Sequence, residues 1–494
     1  MKAFISKILI LIILIVNITS CKDFLNVEPE SVFTDNIIGG ENNGDGTKYT
    51  TKQEMDLLLG GLYSGLKTTI SNYYNLDLPM LTDVRSDNAY SGSIEGWALE
   101  LDNFKVTPSN VVTSRSWSEH LSMVSMANVI INNVDSIPDP AMTQALKILY
   151  KAEAKILRGM MYFDLVRLYG PVPLVLKETP NITSENISTI YPLLYPSRES
   201  EDKIYEQIIA DLEEGSMNGP EPYASGDKFK LTKAFANGLL AKVYATIDNK
   251  NWTKVSTYCD KAIAVGYSLL PDYESLWNNG SKNTNESIFE ITYSSDSPNW
   301  GYMMFSGTDW RKFCTPSHDL EAAFMAEGEK GDLIRKNSSI TIDACSWSDF
   351  WPATSYRFMN KMRNNVSSWI VMRLADILLL KAEALIELND LAGASAIINS
   401  VRGRVNLPGL TEADKASKES MRLAVERERR LELAFEGQRW FDLIRTGRAI
   451  AVMRNCPNSK GQLTYAGIKE WMLILPVPQG DRDVNPNLDQ NLGY

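Results

Sequence analysis

The chain has 494 residues, of which 44% are hydrophobic and 22% charged, a composition typical of a folded globular protein. Fifty Lys and Arg residues oppose 61 Asp and Glu residues, and the net charge of −11 argues against nucleic-acid binding and against electrostatic docking on anionic lipid. Only two histidines are present, so multi-histidine metal centres are not expected. No cofactor is expected either, although the Asp45-Gly46 loop is compatible with a structural Ca²⁺ without matching an EF-hand.

The first 21 residues, MKAFISKILILIILIVNITSC, have the pattern of a bacterial lipoprotein leader. Lys2 and Lys7 precede the aliphatic run of residues 8–16, which is too short to span a membrane. The segment of residues 18–21 has the order of a lipobox, aliphatic, small, small and cysteine. We therefore predict a signal peptide over 1–20 and a lipid on Cys21 that anchors the mature chain. An ordinary signal peptide followed by an incidental cysteine is the alternative.

Three stretches carry helical periodicity. Residues 149–170 predict one helix that ends at Gly170-Pro171, and residues 231–266 and 372–404 each predict two helices joined by a short polar turn. Small residues at the packing positions of both pairs are typical of tetratricopeptide (TPR) repeats, although any antiparallel helix pair shows similar spacing. The pattern predicts a mainly α fold of TPR-like helix pairs, an α–α superhelix whose pairs are not in tandem.

Two loop-rich regions, about 72–115 and about 267–368, interrupt the helices. Six of the 11 tryptophans lie between Trp277 and Trp369, inside the second region. Short apolar runs such as 287–293 predict strands in this region. We expect these long loop and short-strand insertions to form the ligand face.

The segment ERERRLELAFEGQRWFDLIRTGR (426–448) carries the densest charge. Glu436 and Asp442 are six positions apart, so on a helix they point in different directions, and nearby arginines would lower the pKa of both carboxyls. We interpret the segment as structural, with Trp440 and Phe441 in the core and the charges tying helices together. A Ser317 helix cap explains the segment around His318 without catalysis. A glycoside hydrolase stays open as an alternative because it needs only two carboxylates.

Several stretches, in order over nearly the whole chain, resemble the SusD/RagB family of nutrient-binding lipoproteins of Bacteroidota. They are CKDFLNVEPE, DNFKVTPSN, KAEAKILRGMMYFDLVRLYGPVPLV, MRLADILLLKAEALIEL, the 426–448 segment and LPVPQGDRDVNPNLDQNLGY. The resemblance implies one α-rich domain over 21–494, with an N-terminal region at about 21–220, the helix pair 231–266 and a C-terminal region at about 267–494.

For function, the resemblance implies a non-catalytic lipoprotein of the outer membrane that faces the extracellular side. It implies capture of an oligosaccharide or polysaccharide and its delivery to a SusC-type TonB-dependent transporter barrel. RagB-like members are associated with peptides, so peptide uptake is the alternative.

The candidate ligand residues come from the two insertions, where the resemblance also places the family's site. Aromatic rings bury the flat faces of sugars, while Arg and Asn side chains satisfy the hydroxyls. Core packing is the alternative for each tryptophan, and Trp97 and Trp300 are favoured because polar, flexible residues surround them. The predicted ligand residues are Arg85, Asn88, Trp97, Tyr293, Trp300, Tyr302 and Trp310.

Overall fold

The structure, a computed structural model, describes residues 49–67, 73–178, 186–222, 228–278, 282–305, 311–348, 351–457 and 464–494. Residues Tyr49–Tyr494 form one compact unit. The predictions for residues 1–20, Cys21, Asp45-Gly46 and Trp310 lie outside the described residues.

The described ranges contain eighteen α-helices. They are α1 (Lys52–Gly65), α2 (Leu78–Leu81), α3 (Gly96–Asp102), α4 (Val111–Asn133), α5 (Gln144–Tyr169), α6 (Ile187–Leu194), α7 (Glu201–Asn218), α8 (Lys233–Thr246), α9 (Trp252–Ile263), α10 (Tyr302–Phe305), α11 (His318–Met325), α12 (Leu333–Ser339), α13 (Leu374–Glu387), α14 (Leu391–Arg404), α15 (Lys418–Glu432), α16 (Arg439–Arg445), α17 (Ala449–Asn455) and α18 (Gln479–Val484). None of these helices is both long and apolar enough to cross a membrane.

The long helices pack one after another in chain order and form what we call the scaffold. Helix α4 packs on α5, α5 on α7, α7 on α8, α8 on α9 and α9 on α13, and α13 contacts both α14 and α15. The helix predicted over 149–170 is α5, and the two predicted pairs are α8/α9 and α13/α14. The mainly α fold of TPR-like helix pairs is therefore confirmed.

Small residues allow these helices to approach closely. A Cβ atom added at Gly215 of α7 would overlap Ile156 of α5, and one at Gly159 would lie 3.1 Å from Leu212. Side-chain caps define where the helices begin, as at Thr232 and Asn251, which accept hydrogen bonds from the backbone N–H groups of the first turn.

Eight short strands lie in the described ranges, paired as four two-stranded antiparallel sheets. The pairs are β1 (Ala89–Tyr90) with β5 (Thr315–Pro316), β2 (Val172–Pro173) with β3 (Arg198–Glu199), β4 (Ser287–Ile291) with β8 (Trp369–Arg373), and β6 (Ile340–Asp343) with β7 (Tyr356–Met359). Strand β4 confirms the strand predicted in the run 287–293.

The charged 426–448 segment forms the end of α15 and all of α16, and most of its side chains are buried or half-buried. Trp440 and Phe441 are buried, with Trp440 against Leu443 and Phe104. Arg429 donates to Asp376 at 2.8 Å and to Asp442 at 2.9 Å. The structural interpretation of this segment is confirmed, and so is the Ser317 cap, whose hydroxyl accepts from the backbone of Leu320 at 3.0 Å.

Candidate ligand-binding face

The two insertions meet through their backbones. Strand β1 of the first pairs with β5 of the second, so that Ala89 lies opposite Pro316 and Tyr90 opposite Thr315. The N–H of Gly92 donates to the carbonyl of Lys312 at 2.9 Å, and a Cβ at Gly92 would overlap Thr315. Glycine is required here because no side chain fits between the two backbones. This joint places residues from distant parts of the chain on one surface.

Trp97 lies at the centre of this surface. Its ring is 4.7 Å from the ring of Phe313, which is fully buried, while Trp97 is half-buried. The indole Nε1–H donates to Glu95 Oε2 at 2.6 Å, and Arg311 Nη1 lies 3.4 Å from Glu95 Oε1. A polar pair therefore borders an aromatic ring that keeps part of its area accessible.

Helix α3 determines how Trp97 is presented. Ala98 and Leu101 of this helix are fully buried, whereas Trp97, in its first turn, is half-buried. The side-chain amide of Asn110 holds the helix by donating to the carbonyl of Trp97 at 3.0 Å and to Glu100 Oε2 at 2.9 Å. The ring thus sits on a regular element that Asn110 holds at Trp97 and at Glu100.

A second half-buried tryptophan, Trp347, borders the same joint. The ammonium group of the buried Lys312 lies 3.7 Å from the centre of the Trp347 ring, a cation–π contact. Lys312 immediately follows Arg311 and precedes Phe313, so both tryptophans are supported by one three-residue segment. We call Glu95, Trp97, Arg311, Phe313 and Trp347 the insertion face. Trp347 is one of the aromatic residues of the second insertion, but no local signal in the sequence separates it from Trp351, which is buried.

Trp300 and Tyr302 lie on the segment next to this face. Both are half-buried, and Tyr302 begins the short helix α10. The segment is tied to the face because the N–H of Phe313 donates to the carbonyl of Met304 at 3.2 Å. Their placement keeps them as candidate ligand residues beside Trp97.

Three predicted ligand residues are buried in this structure, so their role in ligand binding stays a prediction that their burial disfavours. Arg85 is 1% exposed, donates to the carbonyl of Met472 at 2.7 Å and stacks 4.9 Å from the Trp440 ring. Asn88 is fully buried and bridges Asp83 and Arg430. Tyr293 is 1% exposed. Arg85 and Asn88 are buried against residues more than 300 positions later in the chain, such as Trp440 and Arg430.

A buried carboxyl lies behind the insertion face, at the end of α3. Asp102 Oδ1 accepts from the hydroxyl of Tyr465 at 2.8 Å, and burial raises the pKa of Asp102 to about 7. Tyr465 belongs to the turn Thr464–Gly467, so this bond ties α3 to the C-terminal part of the chain. Among the described residues, no group of His, Cys, Asp or Glu side chains is arranged to hold a metal ion.

The arrangement is suited to binding. An accessible aromatic ring bordered by a carboxylate and a guanidinium can stack on an apolar surface and hydrogen-bond to polar groups around its edge. The carboxylate of this face is held by the Trp97 indole and faces Arg311. That pairing favours orientation of a ligand over proton transfer.

Comparison with known proteins agrees with the fold. The family model described as "SusD family" matches residues 244–494, and the model described as "Starch-binding associating with outer membrane" matches residues 23–245. The two matches adjoin within α8 and together span nearly the whole chain.

Individual relatives match over most of their length. SusD-like protein P25 of Formosa agariphila is 25% identical, over 98% of both chains, and a SusD-like protein of Bacteroides ovatus is 24% identical, over 89% of this chain and 82% of the relative. A SusD superfamily crystal structure from Bacteroides vulgatus superposes with a TM-score of 0.75 at 19% identity, over 90% of this chain and 99% of the other. A laminarin-binding SusD-like protein superposes with a TM-score of 0.71 at 24% identity, over 90% of this chain and 100% of the other. The chain belongs to the SusD family.

Proposed function

We propose that the chain binds a glycan on the insertion face without cleaving it. The observation that carries the proposal is the half-exposed Trp97 ring, supported by Phe313 and bordered by Glu95 and Arg311. Aromatic rings stack on the C–H faces of sugars, and a paired carboxylate and guanidinium offer acceptors and donors to the hydroxyls. Trp300, Tyr302 and Trp347 extend the proposed site, and Trp310 stays a predicted ligand residue outside the described residues.

The similar proteins support a carbohydrate as the ligand. One superposed structure is named as laminarin-binding, and the model that matches residues 23–245 is described as starch-binding. We further propose that a lipid on Cys21 anchors the chain to the outer membrane, that it faces the cell exterior, and that it delivers the glycan to a SusC-type TonB-dependent transporter.

The binding proposal is tested by calorimetry on the mature protein with laminarin and starch oligosaccharides. Trp97→Ala and Trp300→Ala should each weaken binding about tenfold, equivalent to about 1.4 kcal/mol. Trp471→Ala is the matched control, because Trp471 is also half-buried but packs against Tyr494, with ring centres 4.9 Å apart, outside the insertion face. The affinity of the Trp471→Ala variant for these glycans should stay at the wild-type value.

The alternatives give different results in the same experiments. Unchanged affinity in both Trp97→Ala and Trp300→Ala would reject the proposed site. Binding of peptides without binding of glycans would favour a peptide-uptake protein, and release of shorter sugars by the purified protein would reveal a hydrolase.

Anchoring and delivery have separate tests. Cys21→Ala should move the protein from the outer-membrane fraction to the soluble fraction of the cell, and intact-cell protease digestion reports the side of the membrane. Detergent-solubilised wild-type protein should co-purify with a TonB-dependent barrel, and its recovery without any barrel would contradict the delivery proposal.

A further inference from the structure

The scaffold contains two adjoining cavities that the proposed function does not use. One has a volume of about 400 Å³ and the other about 470 Å³, and Lys250, Arg445 and Thr446 line both. The first lies between the α8–α9 turn and helices α13, α15 and α16, and the second between the same turn and helices α5, α7 and α16. Neither includes a residue of the insertion face. We call the two together the scaffold groove. Its size is in the range of small-molecule binding sites.

The charges that line the scaffold groove cancel. The first cavity has five cationic side chains and five carboxylates, and the second has three of each. Most arginines are already paired, as in Arg422 with Glu387 at 2.8 Å and Arg448 with Glu426 at 2.6 Å. A charged ligand would have to break such pairs, whereas a neutral ligand can hydrogen-bond to their outer edges.

Two side chains that line the first cavity carry hydrogen-bond donors from which no other described residue accepts. The indole of Trp252 and the ammonium of Lys250 line the first cavity, and neither side chain has a hydrogen bond or an ion pair with another described residue. Both are half-buried. Glu387 and Glu419 line the same cavity and provide acceptors, while Leu423, 41% exposed, is an apolar residue at its edge. An aromatic ring, free donors and carboxylate acceptors in one concave, neutral site are the combination that a polyhydroxylated ligand needs.

We infer that the scaffold groove is a second saccharide site, which takes a neutral mono- or disaccharide unit against Trp252. The volume of the first cavity suits a ligand of this size, and the balanced charges exclude a strong preference for anionic or cationic ligands. The ligand class follows from the groove's own side chains and not from the insertion face. The two sites are therefore independent and can be tested separately.

The test uses the mature protein carrying Trp97→Ala, which removes the central ring of the insertion face. Maltose, cellobiose and laminaribiose are the probes, with binding followed by saturation-transfer difference NMR and titration. At least one disaccharide should bind to this variant. Adding Leu423→Trp, which fills the edge of the cavity from an exposed position, should weaken that binding about tenfold or more. Trp252→Ala should have the same effect.

Leu333→Trp in the same background is the matched control, because Leu333 is 44% exposed and lies outside the groove. Binding should persist in this control, and circular dichroism should show that all variants are folded. Failure of every disaccharide to bind, or equal binding with Leu423→Trp and Leu333→Trp, would overturn the inference. So would displacement of a disaccharide by charged peptides but not by other neutral sugars. Weaker binding of laminarin and starch oligosaccharides by Trp97→Ala than by the wild type reports only on the insertion face.

Discussion

The scaffold and the insertion face use charged side chains in opposite ways. In the scaffold, arginines and glutamates are buried together and contact several partners each. Arg373, 0% exposed, donates to Glu286 at 2.8 Å, to Glu432 at 2.6 Å and to Glu436 at 2.7 Å. On the insertion face, by contrast, Arg311 and Glu95 are partly exposed. They form an ion pair with 3.4 Å between Arg311 Nη1 and Glu95 Oε1.

The difference shows which charges hold the fold together and which are available to a ligand. Arg335 of α12 contacts Glu428 and Glu432 of α15, and Lys361 contacts Glu436, so buried ion pairs attach the second insertion to the scaffold. We call these groups the arginine–glutamate cluster; its members are Arg335, Lys361, Arg373, Arg402, Arg404, Glu286, Glu428, Glu432 and Glu436. The insertion face itself has the partly exposed pair of Arg311 and Glu95 and the half-buried rings of Trp97 and Trp347.

The strongest test of this contrast is Arg373→Met. The variant takes one cation away from three buried carboxylates, each of which keeps a second partner among Arg335, Lys361 and Arg404. Because breaking buried ion pairs is costly, its free energy of unfolding should fall by about 3–5 kcal/mol. Urea denaturation of the wild type and the variant measures the difference.

Arg85→Met is the matched control, because Arg85 is equally buried but contacts no carboxylate among the described residues. Burial already lowers the pKa of Arg85 to about 10. Removing this charge leaves no opposite charge behind, so the change in stability should stay within about 1 kcal/mol. Equal losses of stability in Arg373→Met and Arg85→Met would show that burial of the arginine, and not its ion pairs, determines the loss.

The second prediction concerns pH. Burial raises the pKa of Asp102 to about 7 in the folded protein, from an ordinary value of 3.8. Between these values the folded state binds more protons than the unfolded state, so the free energy of unfolding falls as the pH rises from about 4 to 7. The free energy of unfolding of Asp102→Asn should not fall in this way, because asparagine does not titrate. Above pH 7 the variant should therefore be more stable than the wild type, by at most about 4 kcal/mol.

Urea denaturation of both proteins at several pH values isolates the contribution of Asp102, because all other groups are shared. The difference between the two curves should grow from pH 4 to 7 and then level off. Parallel curves would contradict the raised pKa.

The third prediction follows from the burial of Asn88. Asn88→Ala removes partners from Asp83 and from Arg430, with which Asn88 hydrogen-bonds at 3.1 Å each. Stability should fall by about 1–3 kcal/mol because buried polar groups lose their partners. Glycan affinity of the folded protein should not change, and a large loss of affinity at full stability would restore Asn88 as a ligand residue.

The smallest effect is expected at the edge of the insertion face. Glu95→Gln keeps the shape of the side chain but weakens the bond to the Trp97 indole, so the ring is less firmly oriented. Glycan affinity should fall by less than about 1 kcal/mol, and stability should barely change because Glu95 is partly exposed. Calorimetry and urea denaturation distinguish the two quantities, and a loss of stability larger than the loss of affinity would assign Glu95 to the fold.

Periodicity made the helices predictable. The apolar stripes of 149–170, 231–266 and 372–404 became α5, α8/α9 and α13/α14, because the helix buries one side and small residues permit close packing. The structural interpretation of 426–448 was also predictable, since alternating opposite charges on one segment favour ion pairs over an acid–base site.

Exposure within the insertions was predictable only in part, because Trp97 and Trp300, chosen for their polar surroundings, are half-buried, whereas Arg85 and Asn88 are buried. Trp277, Trp351 and Trp369 are buried, whereas Trp300 and Trp347 are half-buried, although all five share similar loop-rich surroundings in the sequence. Arg85 and Asn88 looked equally suited to a ligand and are core residues. Local composition reports how flexible a segment is, but burial depends on contacts with residues hundreds of positions away.

The sequence by itself determined the helical scaffold, the family resemblance and the structural use of the densest charges, because these depend on local periodicity and on residues close in the chain. Only the tertiary structure decided where the insertions meet, which aromatic rings stay accessible and that a neutral groove opens in the scaffold. Each of these depends on long-range contacts, such as β1 with β5 and the α8–α9 turn with α15 and α16, which no local pattern encodes.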